Sequence, residues 1–366
     1  VIDMVSPAEP TGDCRGSEDV CPSAFLPLKR IWEELNRTFP MSHAVVNAGA
    51  GDGVSDDPLY GLLAAYPDAI QGIAVEPVDA TFAALSETAR ALPLLEARHE
   101  AVAPSTASRA LAYDASRGSL DVLKLDIDGC ECHVLEELAR DPGWPNPKVV
   151  HVEVTHAVPP PLSYRDMCAR DAPGRSVVPY ADNLDVYGCS MQAARDVLKP
   201  WGYRLLQYDF PDAVFLHEDY VAAFPCVPWL RTDDFRAAYD NGAAYARETY
   251  ARFGRHQTNR SFVASLPALA ATATLRPREA LAALVAQARP AWRKRPLWVE
   301  LAVAGTDVRA TIRCDLPHKG LWLGFVPATD EEDACLTAGF DETWTGEEPA
   351  ATEESAPKPE VAAAPA

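Results

Sequence analysis

The sequence predicts an α/β fold: a Rossmann-like, seven-stranded, mostly parallel sheet with helices on both faces, plus a small C-terminal α+β extension. Three observations predict it. The apolar run Val45-Val46-Asn47-Ala48 breaks into Gly49-Ala50-Gly51-Asp52-Gly53, a buried strand ending in a tight glycine turn. From there to about residue 154, apolar runs of strand length alternate with segments of helical period. Finally, Tyr203–Tyr208 and Asp212–His217 are two short strands with a brief link, an antiparallel hairpin closing the sheet.

The elements follow in order. Residues 1–22 are polar and rich in Pro, Gly and Asp, and read as an extended lead-in. Phe25, Leu28, Ile31, Trp32 and Leu35 repeat at helical period, predicting a helix over Ala24–Phe39 that covers one edge of the pocket. Ala44–Asn47 is the first strand; Ser55-Asp56-Asp57-Pro58 offers caps, acids and a proline to start its helix. Gly72–Glu76 is the second strand, Asp79–Leu92 its helix, and Leu95–Ala103 holds a third strand. Asp121–Asp126 is the fourth, with a helix over Cys132–Arg140, and Lys148–Val154 the fifth. Consecutive parallel strands of this kind need right-handed crossovers, which place helices on both faces.

Pro159-Pro160-Pro161 interrupts the alternation, so residues 156–187 read as an inserted loop over the pocket. Ser190–Lys199 is helical and is stopped by Pro200 and Gly202 before the hairpin. Asp233–Phe253 carries an aromatic stripe suited to core packing, and Pro277–Ala288 is a further helix. Trp298–Val303 and Val308–Cys314 flank Gly305 as a hairpin, with Leu321–Val326 as a third strand. The chain thus divides into a lead-in (1–22), a catalytic domain (23–220), a C-terminal extension (221–326) and an acidic, disordered tail (327–366).

Composition narrows the function. The net charge is -20, which disfavours a nucleic-acid footprint, and from Asp330 onward eleven acids face the single Lys358. No run approaches the roughly 20 apolar residues of a membrane span. The nine cysteines lack zinc-ligand spacing, and Cys130-Glu131-Cys132 is too tight for a knuckle. Reduced, buried thiols are the expectation, which favours the cytoplasm over a secretory lumen, with Cys14–Cys21 as the pair that secretion would oxidise.

The glycine loop reads G-x-G-x-G, without the third interval of a dinucleotide fingerprint, and Asp52, Asp56 and Asp57 would repel a diphosphate. A guest with sugar hydroxyls and a cationic end suits it better, and S-adenosylmethionine (SAM) has both. Glu76, followed by Pro77, ends the second strand 23 residues after Gly53, where a carboxylate accepts ribose hydroxyls. Across the crevice, Lys124-Leu125-Asp126-Ile127-Asp128-Gly129-Cys130-Glu131 puts three carboxylates at the end of the fourth strand. Such a cluster is costly unless paired or at work on a ligand. Asp128 and Glu131 could also cap the following helix.

That motif resembles the K-I-D-x-E-G-x-E signature of FkbM-type methyltransferases, class I SAM-dependent enzymes that mostly methylate hydroxyl oxygens. Lys124, Asp126, Gly129 and Glu131 match, while Asp128 stands where the family has Glu. The loop from Gly49, the Glu76-Pro77 pair and the helix and hairpin of Ser190–His217 are similar to other family motifs, so the resemblance covers about residues 40–218. It implies that Asn47, Gly49, Ala50, Gly51, Asp52, Gly53, Glu76 and Pro77 hold SAM and that Asp128 and Glu131 contact the acceptor, a small molecule or glycan. Asn47 replaces the family's leading Asp; it keeps an acceptor oxygen and loses the charge, which Asp52 would restore by turning inward.

A hydroxyl acceptor must lose a proton. Asp126 is the first candidate base, and Glu153 or His156 the second. On a strand, His151, Glu153 and Thr155 share one face and His156 takes the other. Asp126, Glu153 and His156 could also hold magnesium, a secondary reading beside a metal-free site. Two rival functions remain open: an inactive SAM-binding scaffold on the same fold and a nicotinamide-dependent oxidoreductase.

Overall fold

A computed structural model describes residues 25–113, 119–155, 158, 160–166, 188–209, 212–253, 297–303 and 309–314. The lead-in 1–22, the helix Pro277–Ala288, the strand Leu321–Val326, the tail 327–366 and His156 lie outside the described residues.

Five parallel strands, β1 (Ala44–Ala48), β2 (Gln71–Val75), β3 (Leu95–Arg98), β4 (Val122–Leu125) and β5 (Val149–Glu153), are joined by helices. The antiparallel hairpin of β7 (Tyr203–Asp209) and β8 (Asp212–His217) completes a seven-stranded sheet of order β3-β2-β1-β4-β5-β8-β7. Every residue of β1, β4 and β5 is buried, as strands covered on both faces require. Strand order reverses between β1 and β4, so the crevice at their carboxyl ends is the binding place this topology provides.

Side-chain alternation assigns the faces. Val46, Leu123, Val150 and Phe215 pack under α4 (Ala107–Ala110), α5 (Glu131–Arg140), α6 (Met191–Leu198) and the start of α8 (Phe235–Phe253). Val45, Val122, Val149 and Leu216 meet α1 (Leu28–Thr38), α2 (Tyr60–Ala65) and α7 (Pro228–Thr232) on the other face. The remaining helix, α3 (Asp79–Ala91), presses Leu85 against Ala50 and Ala74.

Helix α1 does not cover the pocket. It buries Leu28, Ile31, Trp32 and Leu35 against the first residues of the strands, and the Trp32 indole donates to Asp121 Oδ2 at 3.0 Å, just before β4. It therefore closes the amino end of the sheet, because its apolar stripe matches the apolar amino ends and the carboxyl ends are polar. Helix α2 also starts later than its capping signal suggests, at Tyr60, with Asp57 Oδ1 accepting the Leu59 N–H at 2.9 Å.

The insertion is not all loop. Its β6 (Leu162–Asp166) pairs antiparallel with β9 (Leu297–Val303), which pairs with β10 (Arg309–Cys314), giving a second sheet of order β10-β9-β6. The C-terminal hairpin thus finds its third strand in the insertion, over 130 residues upstream. A two-stranded hairpin has little independent stability, and a third strand supplies the missing ladder.

The expectation of reduced thiols is corrected. Cys132 and Cys189 form a disulfide with Cα atoms 6.0 Å apart, and Cys130 is disulfide-bonded as well. Their separation of 57 residues hid the pair; packing of α5 beside the strand-like Cys189-Ser190 brings the sulfurs together. No described helix is long and apolar enough to cross a membrane.

Candidate active site

The glycine turn is anchored before any ligand arrives. Gly49 and Ala50 both donate to the Val75 carbonyl at 3.0 Å, so β2 holds the loop where it leaves β1. Gly49 adopts φ +72°, and a Cβ there would fall 1.6 Å from the Asp126 carbonyl oxygen; no other residue fits. Gly51 also has positive φ, yet its missing Cβ faces open space, which leaves the backbone accessible to a guest. The Ala50 methyl is buried against Leu85, so Ala50 offers the pocket only its backbone.

Glu76 reaches this loop directly. Its Oε2 accepts the Gly51 N–H at 3.1 Å and its Oε1 the Val78 N–H at 2.9 Å, which orients a buried carboxylate with a lone pair to spare on each oxygen. Pro77 is exposed beside it, with its carbonyl 3.2 Å from His99 Nε2, and the His99 ring stacks on Phe82 at 4.5 Å.

The third motif joins through Lys124. Asn47, Lys124 and His151 are register partners on β1, β4 and β5, forming one polar row on the α1–α2 face. The Lys124 ammonium, 3% exposed, donates to the Gly49 carbonyl at 2.7 Å and lies 3.0 Å from Asp126 Oδ2. Burial alone would lower its pKa, but the carboxylates of Asp126 and Asp57 outweigh burial and raise it, so the charge is held. Burial likewise pushes Asp126 up and is overcome by Lys124 and by a hydrogen bond with Glu153; the net shift is downward. His151 is driven down to about 3, first by burial and then by Lys124, so it is neutral at pH 7.

Other candidates take different places. Asp52 does not turn inward: its Oδ1 accepts the Val54 and Ser55 N–H groups at 2.8 and 2.6 Å, and its Oδ2 the Ser55 hydroxyl at 2.7 Å. Those bonds outweigh the burial that would raise its pKa. Gly53 closes the turn by donating to the Ala50 carbonyl at 2.8 Å. Glu131 is 1% exposed, and its Oε1 accepts the N–H groups of Ile127 and Gly129 at 3.2 and 2.7 Å, bracing the loop that carries Asp126 and Asp128. Burial pushes its pKa up to about 8. Asp128 is exposed, with φ +58°.

Asp126, Asp128 and Glu153 each bring a carboxylate oxygen within 4.8 Å of the others, a set able to hold a divalent cation. Lys124, 3.0 Å from Asp126, already supplies a positive charge to that corner. A separate cavity of about 200 Å³, lined by Gln71, Gly72, Glu96, Arg98 and Tyr113 among others, shares no residue with this site.

One residue escaped the sequence reading. Asp57, read as a helix-starting acid and as one of three that would repel a diphosphate but not as a residue contacting the cofactor, has its Oδ2 2.8 Å from Asn47 Nδ2 at the end of β1. Its surplus of neighbouring acids was the available signal, but which of Asp52, Asp56 and Asp57 faces inward depends on how the loop closes.

No protein-family model matches the sequence, and no curated protein matches it. Among solved structures the chain is similar to PKMT2 from Rickettsia typhi in complex with AdoHcy, at 19% identity, covering 36% of this chain and 25% of that one, with a TM-score of 0.25. It is similar to the CurJ carbon methyltransferase at 12% identity, covering 51% and 52% of the two chains, with a TM-score of 0.33. It is also similar to magnesium protoporphyrin IX methyltransferase from Synechocystis PCC 6803 with bound SAM, at 10% identity, covering 47% and 69%, with a TM-score of 0.29. The chain spans about a quarter of the length of the first and about half of the second.

Proposed function

We propose that this chain is a SAM-dependent methyltransferase acting on a hydroxyl oxygen of a small molecule or glycan. One observation carries the reading: Lys124 bonds both the Gly49 carbonyl and Asp126, while Gly51 bonds Glu76, so three motifs from three strands meet at one crevice. The residues suit the cofactor. Glu76 offers acceptor lone pairs to ribose hydroxyls, Gly51 leaves its side open, and the buried Asn47 Oδ1 has no hydrogen-bond partner, an acceptor waiting for a donor. When bound, SAM supplies a methyl group on a sulfonium leaving group.

The chain itself must orient the acceptor and take its proton. Asp126 is suited to both: it is 36% exposed, held ionised by Lys124, and hydrogen-bonded with Glu153. Glu131 braces the loop from beneath, and Asp128, exposed beside Asp126, is the acceptor-side contact. The Cys132–Cys189 bond supports an oxidising compartment over the reducing cytoplasm.

Calorimetry with SAM and with NADH tests the reading, followed by S-adenosylhomocysteine release in the presence of polyhydroxylated acceptors. SAM binding with acceptor-dependent release is the expected result. NADH binding without SAM binding overturns it, and SAM binding without release across acceptor classes points to the inactive scaffold.

A further inference from the structure

The leading acid of the glycine motif is replaced by Asn47, so the charge that would meet the ammonium of the cofactor's amino-acid end is missing from its usual place. The structure shows where a substitute stands. Asn47 donates through Nδ2 to Asp57 Oδ2 at 2.8 Å, across ten residues of chain. The opposite end of the same planar amide, Oδ1, is buried and has no hydrogen-bond partner, and Asn47 is 1% exposed. A carboxylate and an orphan carbonyl on one amide-bridged pair are both acceptors, which is the complement of an ammonium with three N–H donors. Asp52, the other acid in reach, accepts three donors from its own turn, whereas Asp57 accepts one on each oxygen, from Leu59 N–H and Asn47 Nδ2, and keeps a lone pair on each.

We infer that Asp57, oriented by Asn47, is the specificity-determining residue for the α-ammonium of the cofactor, the electrostatic role of the family's leading Asp moved ten positions along the chain. This rests on the SAM reading above and names the residue that makes it work in this chain. The hydrogen bond from Asn47 fixes the carboxylate, and Asn47 Oδ1 adds a second acceptor beside it.

The test is calorimetric, on the full chain, with three probes: SAM, S-adenosylhomocysteine, and 5′-methylthioadenosine, which lacks the amino-acid end. Asp57→Asn weakens SAM and S-adenosylhomocysteine by about 10- to 100-fold, the range for a charged hydrogen bond, and leaves methylthioadenosine unchanged. The exchanged pair Asn47→Asp with Asp57→Asn restores both to within a few fold of the parent, because it returns one carboxylate and one amide to the same two places. Equal loss of all three probes in Asp57→Asn assigns Asp57 to loop structure and overturns the inference; so does unchanged SAM affinity, or an exchanged pair that binds no better than the single variant. If the parent binds methylthioadenosine and SAM equally, the ammonium is not read and the inference falls while an adenosyl site stands. If the parent binds none of the three, the cofactor reading falls as well.

Discussion

Strand β4 begins beside one buried lysine–aspartate pair and ends beside another, and the two are finished to different degrees. At the amino end Asp121, fully buried, accepts four hydrogen bonds: Ser42 N–H at 3.0 Å and Lys148 Nζ at 2.6 Å on Oδ1, Trp32 Nε1 at 3.0 Å and His43 N–H at 2.8 Å on Oδ2. Lys148 also reaches the Ser119 hydroxyl at 2.7 Å. At the carboxyl end Lys124 is as deeply buried, but Asp126 is 36% exposed, and Asn47 Oδ1 and His151 Nδ1 nearby have no hydrogen-bond partner. An unsatisfied buried polar atom costs roughly 1–3 kcal/mol, so the closed pair is architecture, and the open one fits the ligand site proposed above.

The comparison can be broken at either end. The largest stability effect belongs to Asp121→Ala, which leaves the Lys148 ammonium and the Trp32 indole N–H without their acceptor. A loss of about 3–5 kcal/mol is expected by chemical denaturation, with SAM affinity of the folded fraction unchanged. At the open end Asp126→Asn keeps an acceptor for Lys124 but removes the base. Turnover, followed by S-adenosylhomocysteine release, should fall on the order of 10²–10⁴-fold, while SAM binding stays within a few fold and stability changes less than in Asp121→Ala. Equal loss of binding and turnover would assign Asp126 to the cofactor.

Smaller effects sharpen the contrast. Gly49→Ala places a Cβ 1.6 Å from the Asp126 carbonyl oxygen in a φ +72° conformation, so the loop must shift at a cost of about 1–3 kcal/mol. Weaker SAM binding on calorimetry should accompany it. Smallest is Glu131→Gln, which keeps an oxygen for the Ile127 and Gly129 N–H groups. With its pKa raised from 4.5 to about 8, Glu131 contributes stability that is full below the unfolded value and is lost as pH rises through the folded one. The parent's melting temperature should carry that decline between about pH 5 and 8, and the variant should lack it. An equal slope in both proteins would locate the titration elsewhere.

How much of this was legible before folding varies element by element. Strands β1, β4 and β5 were readable because a buried parallel strand must be a continuous apolar run, and Gly49 because the chain had to turn at once where that run ended. Glu76 and Asp126 were readable as acids at strand ends, since the topology carries all such ends to one edge. β6 was not, because three prolines precede it and its partner β9 lies over 130 residues away. The Cys132–Cys189 pair was hidden for the same reason, and α1 showed its apolar stripe without showing which end of the sheet that stripe would match.

The amino-acid order by itself determined the periodicities, the glycine turn and the inventory of acids, because these depend on residue type and local spacing. Which acid faces inward was decided only by the tertiary structure. Asp52 lies within reach of its own turn's N–H groups and is captured there, whereas Asp57 is carried by the approach to α2 to within 2.8 Å of Asn47. A hydrogen bond takes whichever partner the closed chain brings within about 3 Å, and that proximity is a property of the packed sheet rather than of any single segment.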